Sequence, residues 1–368
     1  MLLDLSCLSY PLPPDVRRLY EAGDFGRMEL VIRRRLDDPC VPEALKARLR
    51  VQLEMAYEIP RAYPYTRAQM LDILQKNVSG FAEEELETLR DDGTLDWRYV
   101  NGEVRFKNNA LSSLLKTRKE YAMRATDPAV MSGTKASAEQ LSAMIAKMKA
   151  NGGVRARFEL HEELTVRSDR LTEGETLRIH LPMPIVGAQV KCAELLSASH
   201  PVAFLAPEDE PQRTIYFELP YEPGMTVSAE IAYEIDAPYV QPHAREVYAE
   251  QPVFDTEELP PHVVFTPYLR ALAKEIVGDE TNALLKARKI YDFITTQAVY
   301  RFMPPYLTVP NIPEYFLSGL RGDCGVQAIT FVTLCRLCGV PAQWQSGLYT
   351  KPNSAGHHDW ARFYVAPF

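Results

Sequence analysis

The sequence predicts a multidomain α+β protein with a helical N-terminal module, a central antiparallel β-sandwich and a C-terminal α+β domain. In residues 1–124, apolar side chains recur at the spacing of amphipathic helices. In residues 153–237 the apolar period changes to two, which is typical of half-buried strands. Residues 238–368 place two helical patterns ahead of a long apolar run and two alternating segments, an order that indicates mixed helix and sheet.

Length and charge limit the functions that the chain can have. Its 368 residues are enough to bury more than one hydrophobic core, so two or three domains are expected. The net charge of −8 argues against nucleic acid or an anionic membrane as an obligatory partner. No apolar run approaches the roughly 20 residues that span a bilayer, and Met1–Leu8 lacks the basic region of a signal peptide. Nothing in the sequence points to a particular oligomeric state.

The six cysteines are scattered over a long chain, a usage that suits a reducing compartment, so a cytoplasmic location is expected. Cys335 and Cys338 have a zinc-ligand spacing, and the adjacent His357 and His358 form the other pair to consider. Neighbouring residues on a strand point to opposite faces, which makes the two histidines poor joint ligands. We therefore expect core packing for Cys335 and Cys338, with no metal and no cofactor.

The N-terminal module carries two local signals. Thr66 and Gln69 have the spacing of a capping box, which predicts the start of a helix. Two short alternating segments, 97–100 and 103–106, flank Asn101-Gly102 and predict a hairpin with a two-residue turn. We interpret residues 1–124 as a helical module with a hairpin near 97–106, serving as a protein-contact or spacer module.

The middle of the chain divides into a linker and strands. Residues 125–152 are predicted to be a linker with one short helix, whose apolar face would consist of Leu141, Met144, Ile145 and Met148. The strand pattern that follows puts Ile231 and Tyr233 inward and Glu230 and Glu234 outward. Several such short strands separated by turn residues predict an antiparallel sandwich.

Two helices are predicted at the start of the C-terminal domain. After a proline-rich segment, apolar residues recur at helical spacing over residues 267–277 and again over 282–296. The apolar face of the second helix is predicted to contain Leu284, Ala287, Ile290, Tyr291 and Ile294. These helices lead towards the segment that contains the most informative residue, Cys324.

Cys324 opens an apolar run that reads as a loop entering a buried helix. At the first turn of a helix, unpaired amides and the macrodipole favour a thiolate. Gly339-Val340-Pro341 predicts the end of this helix. Two strand patterns follow, separated by a predicted turn over residues 351–356, and the second carries His358. The predicted order is therefore a cysteine on a helix, a strand, a turn and a histidine on a strand.

These elements together resemble the transglutaminase-like superfamily, the papain-like thiol acyl-transfer enzymes. The matching positions are Gly322, Cys324, Ala328, Leu334, Gly339-Val340-Pro341-Ala342, His358 and Trp360. The resemblance covers about the last hundred residues. It implies that Cys324 is the nucleophile and His358 the general base, and that a β-sandwich ahead of this domain is a familiar arrangement.

The third residue of the family's triad is an Asp on the strand after the histidine strand. The given sequence ends at Phe368, before such a strand. Asp359 is a poor substitute for it, because neighbours on a strand face opposite ways. Either the C-terminal domain is incomplete, truncated at its C-terminus, or the enzyme lacks the acid and is impaired; we expect truncation, because ending here would leave the sheet of this domain unfinished.

Several alternatives remain open. The resemblance implies acyl transfer on amide bonds of a protein or peptide, and the lack of a visible calcium loop favours a bacterial-type cysteine peptidase or amidase over a transglutaminase. Without the resemblance, Cys324 would read as a core thiol, because Cys is among the most buried residue types. Tyr300 and Tyr306 are either walls beside the thiol or ordinary packing residues. The rival class is a non-catalytic scaffold that binds peptide.

Overall fold

The computed structural model describes residues 5–351 and 354–368, apart from the side chains of residues 131–135 and 137. These residues form a mixed α+β structure with several antiparallel sheets, as the sequence predicts. Within this described part of the chain, no helix combines the length and the apolar character that crossing a bilayer requires.

The chain divides into two compact units, both discontinuous in sequence. The first consists of Met1–Lys135, Ala244–Trp344 and Trp360–Phe368, and the second of Ala136–His243 and Gln345–Asp359. The N-terminal module and most of the C-terminal segment therefore belong to the same unit. The predicted domain boundaries near residues 124, 152 and 237 stay predictions.

The N-terminal part of the first unit is mainly helical. Its helices are α1 (Pro14–Glu21), α2 (Phe25–Asp37), α3 (Glu43–Ala62), α4 (Arg67–Asn77), α5 (Glu83–Asp91), α6 (Ala110–Thr117) and α7 (Lys119–Ala122), and its strands are β1 (Tyr65–Thr66), β2 (Trp97–Val100) and β3 (Glu103–Phe106). The capping box at the start of α4 is confirmed, because the Thr66 side chain accepts from Gln69 N and the Gln69 side chain accepts from Thr66 N. The hairpin is also confirmed, with Asn101 and Gly102 at positive φ between paired β2 and β3.

Helix α8 (Ala129–Asn151) is longer than the short helix that the sequence predicts. The difference follows from composition, since its second half is rich in Ala, Met, Lys and Gln, which favour helices. The residues of the predicted apolar face do lie on this helix, but Leu141, Met144 and Ile145 are exposed.

Six strands follow α8 in the second unit. They are β4 (Gly153–Thr165), β5 (Thr176–Pro182), β6 (Val190–Ala198), β7 (Phe204–Leu205), β8 (Thr214–Pro220) and β9 (Thr226–Pro238). They form two antiparallel sheets of order β4-β9-β6 and β5-β8-β7. The predicted facing is confirmed, because Ile231 and Tyr233 are buried whereas Glu230 and Glu234 are exposed. Side chains from both sheets share one hydrophobic core, as in a sandwich.

The last elements are α9 (Pro267–Val277), α10 (Ala283–Gln297), β10 (Val299–Tyr300), α11 (Ile312–Gly319), β11 (Arg321–Gly322), α12 (Cys324–Leu337), β12 (Ala342–Lys351) and β13 (Ser354–Phe363). Helices α9 to α12 share one hydrophobic core, in which Ile290, Phe316 and Leu334 are fully buried. The placement of Tyr291 on the apolar face of α10 is wrong, since 53% of it is exposed. It lies about 100° around the helix from Ile290, which turns it away from the core.

The turn predicted over residues 351–356 is shorter than expected. Lys351 ends β12, and Ser354 to Gly356 already belong to β13. Residues 352–353 of the predicted turn lie outside the described residues. Strands β12 and β13 pair with each other as a two-stranded sheet, so the predicted order of helix, strand and histidine strand is confirmed.

Candidate active site

Cys324 is the first residue of α12, as the sequence predicts. Asp323 is the N-cap, and its Oδ1 accepts from Val326 N at 3.2 Å. Most of the helix is buried, but the cysteine itself is partly exposed. The thiol therefore lies at the positive end of a helix dipole and within reach of solvent, a position that favours a reactive thiolate.

The chain enters α12 through a tightly packed glycine. Gly322 is buried, and its strand β11 runs parallel to β10, with Tyr300 opposite Gly322. A Cβ atom on Gly322 would lie 2.7 Å from Val326 Cγ1 and 3.0 Å from Phe316 Cδ2. The absence of a side chain at Gly322 thus lets the backbone pack directly against the first turn of α12.

Asp323 also fixes the loop in front of the helix. The hydroxyl of Tyr306 donates to Asp323 Oδ1 at 2.6 Å, and Met303 N donates to Oδ2 at 3.4 Å. Of the two tyrosines considered from sequence, Tyr306 therefore lies beside the start of α12.

The neighbourhood of Cys324 includes a cation that the sequence analysis missed. Lys116 of α6 holds its ammonium 3.5 Å from the centroid of the Tyr300 ring and 5.2 Å from that of Phe302. Partial burial lowers the pKa of Lys116, and the charges of Cys324 and Asp323 oppose this shift. No local sequence pattern could have identified this residue, because α6 approaches Cys324 only through tertiary packing.

His358 lies on β13, and its part of the strand belongs to the second unit, whereas Cys324 belongs to the first. Their pairing stays a prediction. The His358 ring makes an edge contact with Tyr349 of β12, with 5.9 Å between ring centroids. Tyr349 also covers Gly356, where a Cβ atom would lie 2.7 Å from its ring. Both His357 and His358 are exposed.

Three aspartates of the first unit that could have oriented an imidazole make other contacts. Asp323 caps α12, and Asp292 pairs with Arg288 at 2.8 Å. The Asp255 carboxylate accepts from the Gln343 side chain and lies 3.7 Å from Arg336. The third triad residue therefore stays a prediction.

Residues 270–368 match the family model described as the transglutaminase-like superfamily. This part of the chain is transglutaminase-like. Both Cys324 and His358 lie inside the matched residues, so the resemblance stated from the sequence is confirmed for this segment. None of the curated proteins matches the sequence.

Among solved structures, the chain is similar to a protein of Cytophaga hutchinsonii provisionally named a cysteine protease, with 18% sequence identity and a TM-score of 0.44. This similarity covers 58% of the present chain and 75% of the other. The chain is also similar to the periplasmic domain of TgpA from Pseudomonas aeruginosa, with 15% identity and a TM-score of 0.29, over 60% and 86% of the two chains. The similarity to the transglutaminase-like superfamily rests on the match to residues 270–368.

Two further cysteines of the transglutaminase-like segment pack in its core. Cys335 is fully buried in α12, and burial raises the pKa of its thiol well above the usual value. Cys338 is partly buried, and burial raises the pKa of its thiol as well. Across residues 5–351 and 354–368, no group of three or more His, Cys, Asp or Glu side chains is placed to hold a metal ion.

A polar junction that is buried at Tyr63 and Asp96 connects the N-terminal module to the transglutaminase-like segment within the first unit. Asp96 accepts from the Tyr63 hydroxyl at 3.1 Å and lies 3.8 Å from Arg301, which in turn donates to the Tyr315 hydroxyl at 2.7 Å. Burial raises the pKa of Asp96, while the Arg301 charge opposes this. Because a buried charge is costly without partners, this network fixes the module against the segment.

An open groove of about 750 Å³ lies beside the helix cap. It is lined by Glu58, Arg61, Ala62, Lys107, Asn108, Asn109, Met303, Pro304, Pro305 and Tyr306. The Lys107 ammonium donates to Asn109 Oδ1 at 2.7 Å. The groove thus combines amide and charged side chains with apolar ones, and it reaches the tyrosine that contacts Asp323.

Proposed function

We propose that the chain catalyses thiol-dependent acyl transfer on amide bonds, with Cys324 as the nucleophile and His358 as the general base. The observation that carries this proposal is a partly exposed thiol at the first position of a buried helix in a transglutaminase-like segment. A buried structural cysteine would instead resemble Cys335, which lies in the middle of the same helix. Helix starts lower thiol pKa values because their amides and dipole stabilise the anion.

In the proposed reaction, the Cys324 thiolate attacks the carbonyl carbon of an amide, and backbone amides at the start of α12 stabilise the oxyanion. The carbon–nitrogen bond then breaks, and His358 transfers a proton to the leaving amine. Water resolves the thioester in a peptidase or amidase, and a second amine does so in a transglutaminase. We favour hydrolysis, and the test below includes both acceptors.

We propose a protein or peptide as the substrate. The groove next to Tyr306 supports this choice, because Asn108 and Asn109 offer amide groups that can bind a peptide backbone, while Pro304 and Pro305 offer apolar contact. The net charge of −8 supports neither a nucleic-acid nor a membrane partner. Six free cysteines support a reducing location such as the cytoplasm. The proposed reaction uses no cofactor.

The proposal is tested with a panel of fluorogenic peptide amides, in the presence and absence of a primary amine. Cys324→Ala and His358→Ala should each abolish turnover, whereas Cys40→Ala, which removes an exposed thiol elsewhere, should retain it. Release of free acid indicates hydrolysis, and coupling to the amine indicates transamidation. Turnover that survives Cys324→Ala would overturn the assignment.

The rival function, a scaffold that binds peptide without cleaving it, predicts a different result. The unmodified chain would then bind members of the panel without releasing product. Asn108→Ala in the groove should weaken peptide binding under either function, because it removes an amide from the lining. Binding without turnover by the unmodified chain would favour the scaffold and reject the enzyme.

A further inference from the structure

We propose that Lys116 of the N-terminal module is a positioning residue that stabilises the Cys324 thiolate, so that the module completes the active site. The inference rests on the proposed nucleophilic role of Cys324. It gives a function to residues 1–124, whose sequence pattern indicates only a contact or spacer module. The match to the superfamily begins at residue 270 and does not include Lys116.

Helix α6 is held against the residues that follow β10 by a hydrogen bond to a buried serine. Ser113 is 3% exposed, and its hydroxyl accepts from the backbone N–H of Phe302 at 3.3 Å. Lys116 lies one turn further along α6, which directs its side chain to the aromatic residues on either side of Arg301. The position of the cation is thus determined by packing of the helix.

Two aromatic rings hold the Lys116 ammonium in place. A separation of 3.5 Å from the Tyr300 ring centroid is well inside the range of a cation–π contact, and Phe302 adds a second ring at 5.2 Å. These rings meet edge to face, with 5.4 Å between their centroids. An ammonium held in this way has less conformational freedom than a surface lysine without ring contacts, so its charge acts at a defined place.

Tyr300 connects this cation to the nucleophile. It pairs with Gly322 across β10 and β11, and Gly322 is followed by the cap residue Asp323 and then by Cys324. Lys116 therefore stacks on the residue that pairs with the strand entering α12, and the charges of Cys324 and Asp323 oppose the lowering of its pKa by burial. A cation beside a thiol favours its thiolate form.

The charges around Cys324 have opposite effects. Asp323 is the anion next to it, and Lys116 is the cation that opposes this anion. Lys107, buried in the same unit, interacts electrostatically with Asp323 and reduces its effect further. Because Lys116 is exposed as a whole residue, solvent screens its charge, and the expected effect on Cys324 is moderate.

The test measures the pH dependence of Cys324 alkylation by iodoacetamide, read from the mass of the peptide that contains it. Cys40, which is exposed, serves as the reference thiol in the same sample. Lys116→Met should move the midpoint of the Cys324 profile to higher pH by roughly half a unit. Below the midpoint, alkylation should therefore slow by about three-fold. Lys116→Arg should retain the original profile, and Lys119→Met, an exposed lysine on α7, is the matched control.

A second measurement needs no variant. Raising NaCl to about 1 M shortens the Debye length to about 3 Å, so the unmodified chain should approach the profile of Lys116→Met, while that variant should change less. An unchanged midpoint in Lys116→Met, or a salt response equal in both proteins, would overturn the inference. Failure of the proposed function has a different signature, in which Cys324 of the unmodified chain reacts no faster than Cys40 at any pH.

Discussion

Removing the Asp323 side chain should destabilise the start of α12 by a measurable amount. Asp323→Ala loses the cap bond from Val326 N, which is worth about 1 kcal/mol. It also loses the 2.6 Å bond from Tyr306, which is worth about 2 kcal/mol because the acceptor is charged. The bond from Met303 N is long at 3.4 Å and adds little. We expect the free energy of unfolding to fall by about 3 kcal/mol.

A double-mutant cycle separates these contributions. Tyr306→Phe removes only the hydroxyl and should cost about 1–2 kcal/mol, whereas adding it to Asp323→Ala should cost almost nothing more. The coupling between the two residues should therefore be about 1–2 kcal/mol. Urea unfolding gives the free energies, and hydrogen exchange at residues 324–330 shows whether the loss is local. A cost below about 0.5 kcal/mol for Asp323→Ala, with no coupling, would refute the reasoning.

Asp323→Asn tests the charge separately from the cap. Asn is as good an N-cap as Asp, so the helix should remain largely intact. The negative charge beside Cys324 disappears, however, so the pH profile of Cys324 alkylation should move to lower pH. This direction is opposite to that expected for Lys116→Met. A shift in the same direction for both variants would show that folding, and not charge, controls the reactivity of Cys324.

Three further changes have defined outcomes. Gly322→Ala places a Cβ atom 2.7 Å from Val326 Cγ1, so thermal unfolding should reveal a loss of about 1–3 kcal/mol, and peptide turnover should slow. Burial raises the pKa of Glu162 to about 7, so the protonated form is favoured on folding, and stability falls as the pH rises from about 4.5 to 7. Glu162→Gln should remove this dependence, on the order of 1–2 kcal/mol after screening, in melts at pH 5 and pH 8. Ile231→Ala should cost about 2–5 kcal/mol in urea unfolding, and a loss under 1 kcal/mol would contradict its core position.

Local signals explain why much of the fold could be predicted from sequence. Thr266 and Asn282 are N-caps whose side chains accept from backbone amides of α9 and α10, and each helix begins at the next residue. The alternation around Ile231 is equally local, because the period of a strand is two and one face is buried. Cys324 at the start of α12 follows in the same way from the glycines and the apolar run around it.

The remaining features depend on tertiary contacts, which no local pattern records. Tyr291 fits an apolar face by composition, yet it lies at the edge of that face and stays in water. The helix around Leu141 continues beyond its predicted length because nothing in its sequence stops it. Lys116 comes close to Cys324 only after α6 packs on β10, so its relevance to the candidate site was not predictable from spacing.

The discontinuous first unit has a consequence for the order of events on the ribosome. Its early portion, Met1–Lys135, is synthesised before roughly a hundred residues of the second unit, and its partner portion, Ala244–Trp344, emerges only afterwards. At a translation rate of about 5–20 residues per second, the early helices wait at least several seconds for Arg301, which pairs with Asp96, and for Tyr300 and Phe302, which contact Lys116. The strands of the second unit can assemble during that interval. Nascent chains arrested before residue 244 should therefore expose the surface of α6 and the surroundings of Asp96 to chaperones, and chains arrested beyond α12 should not.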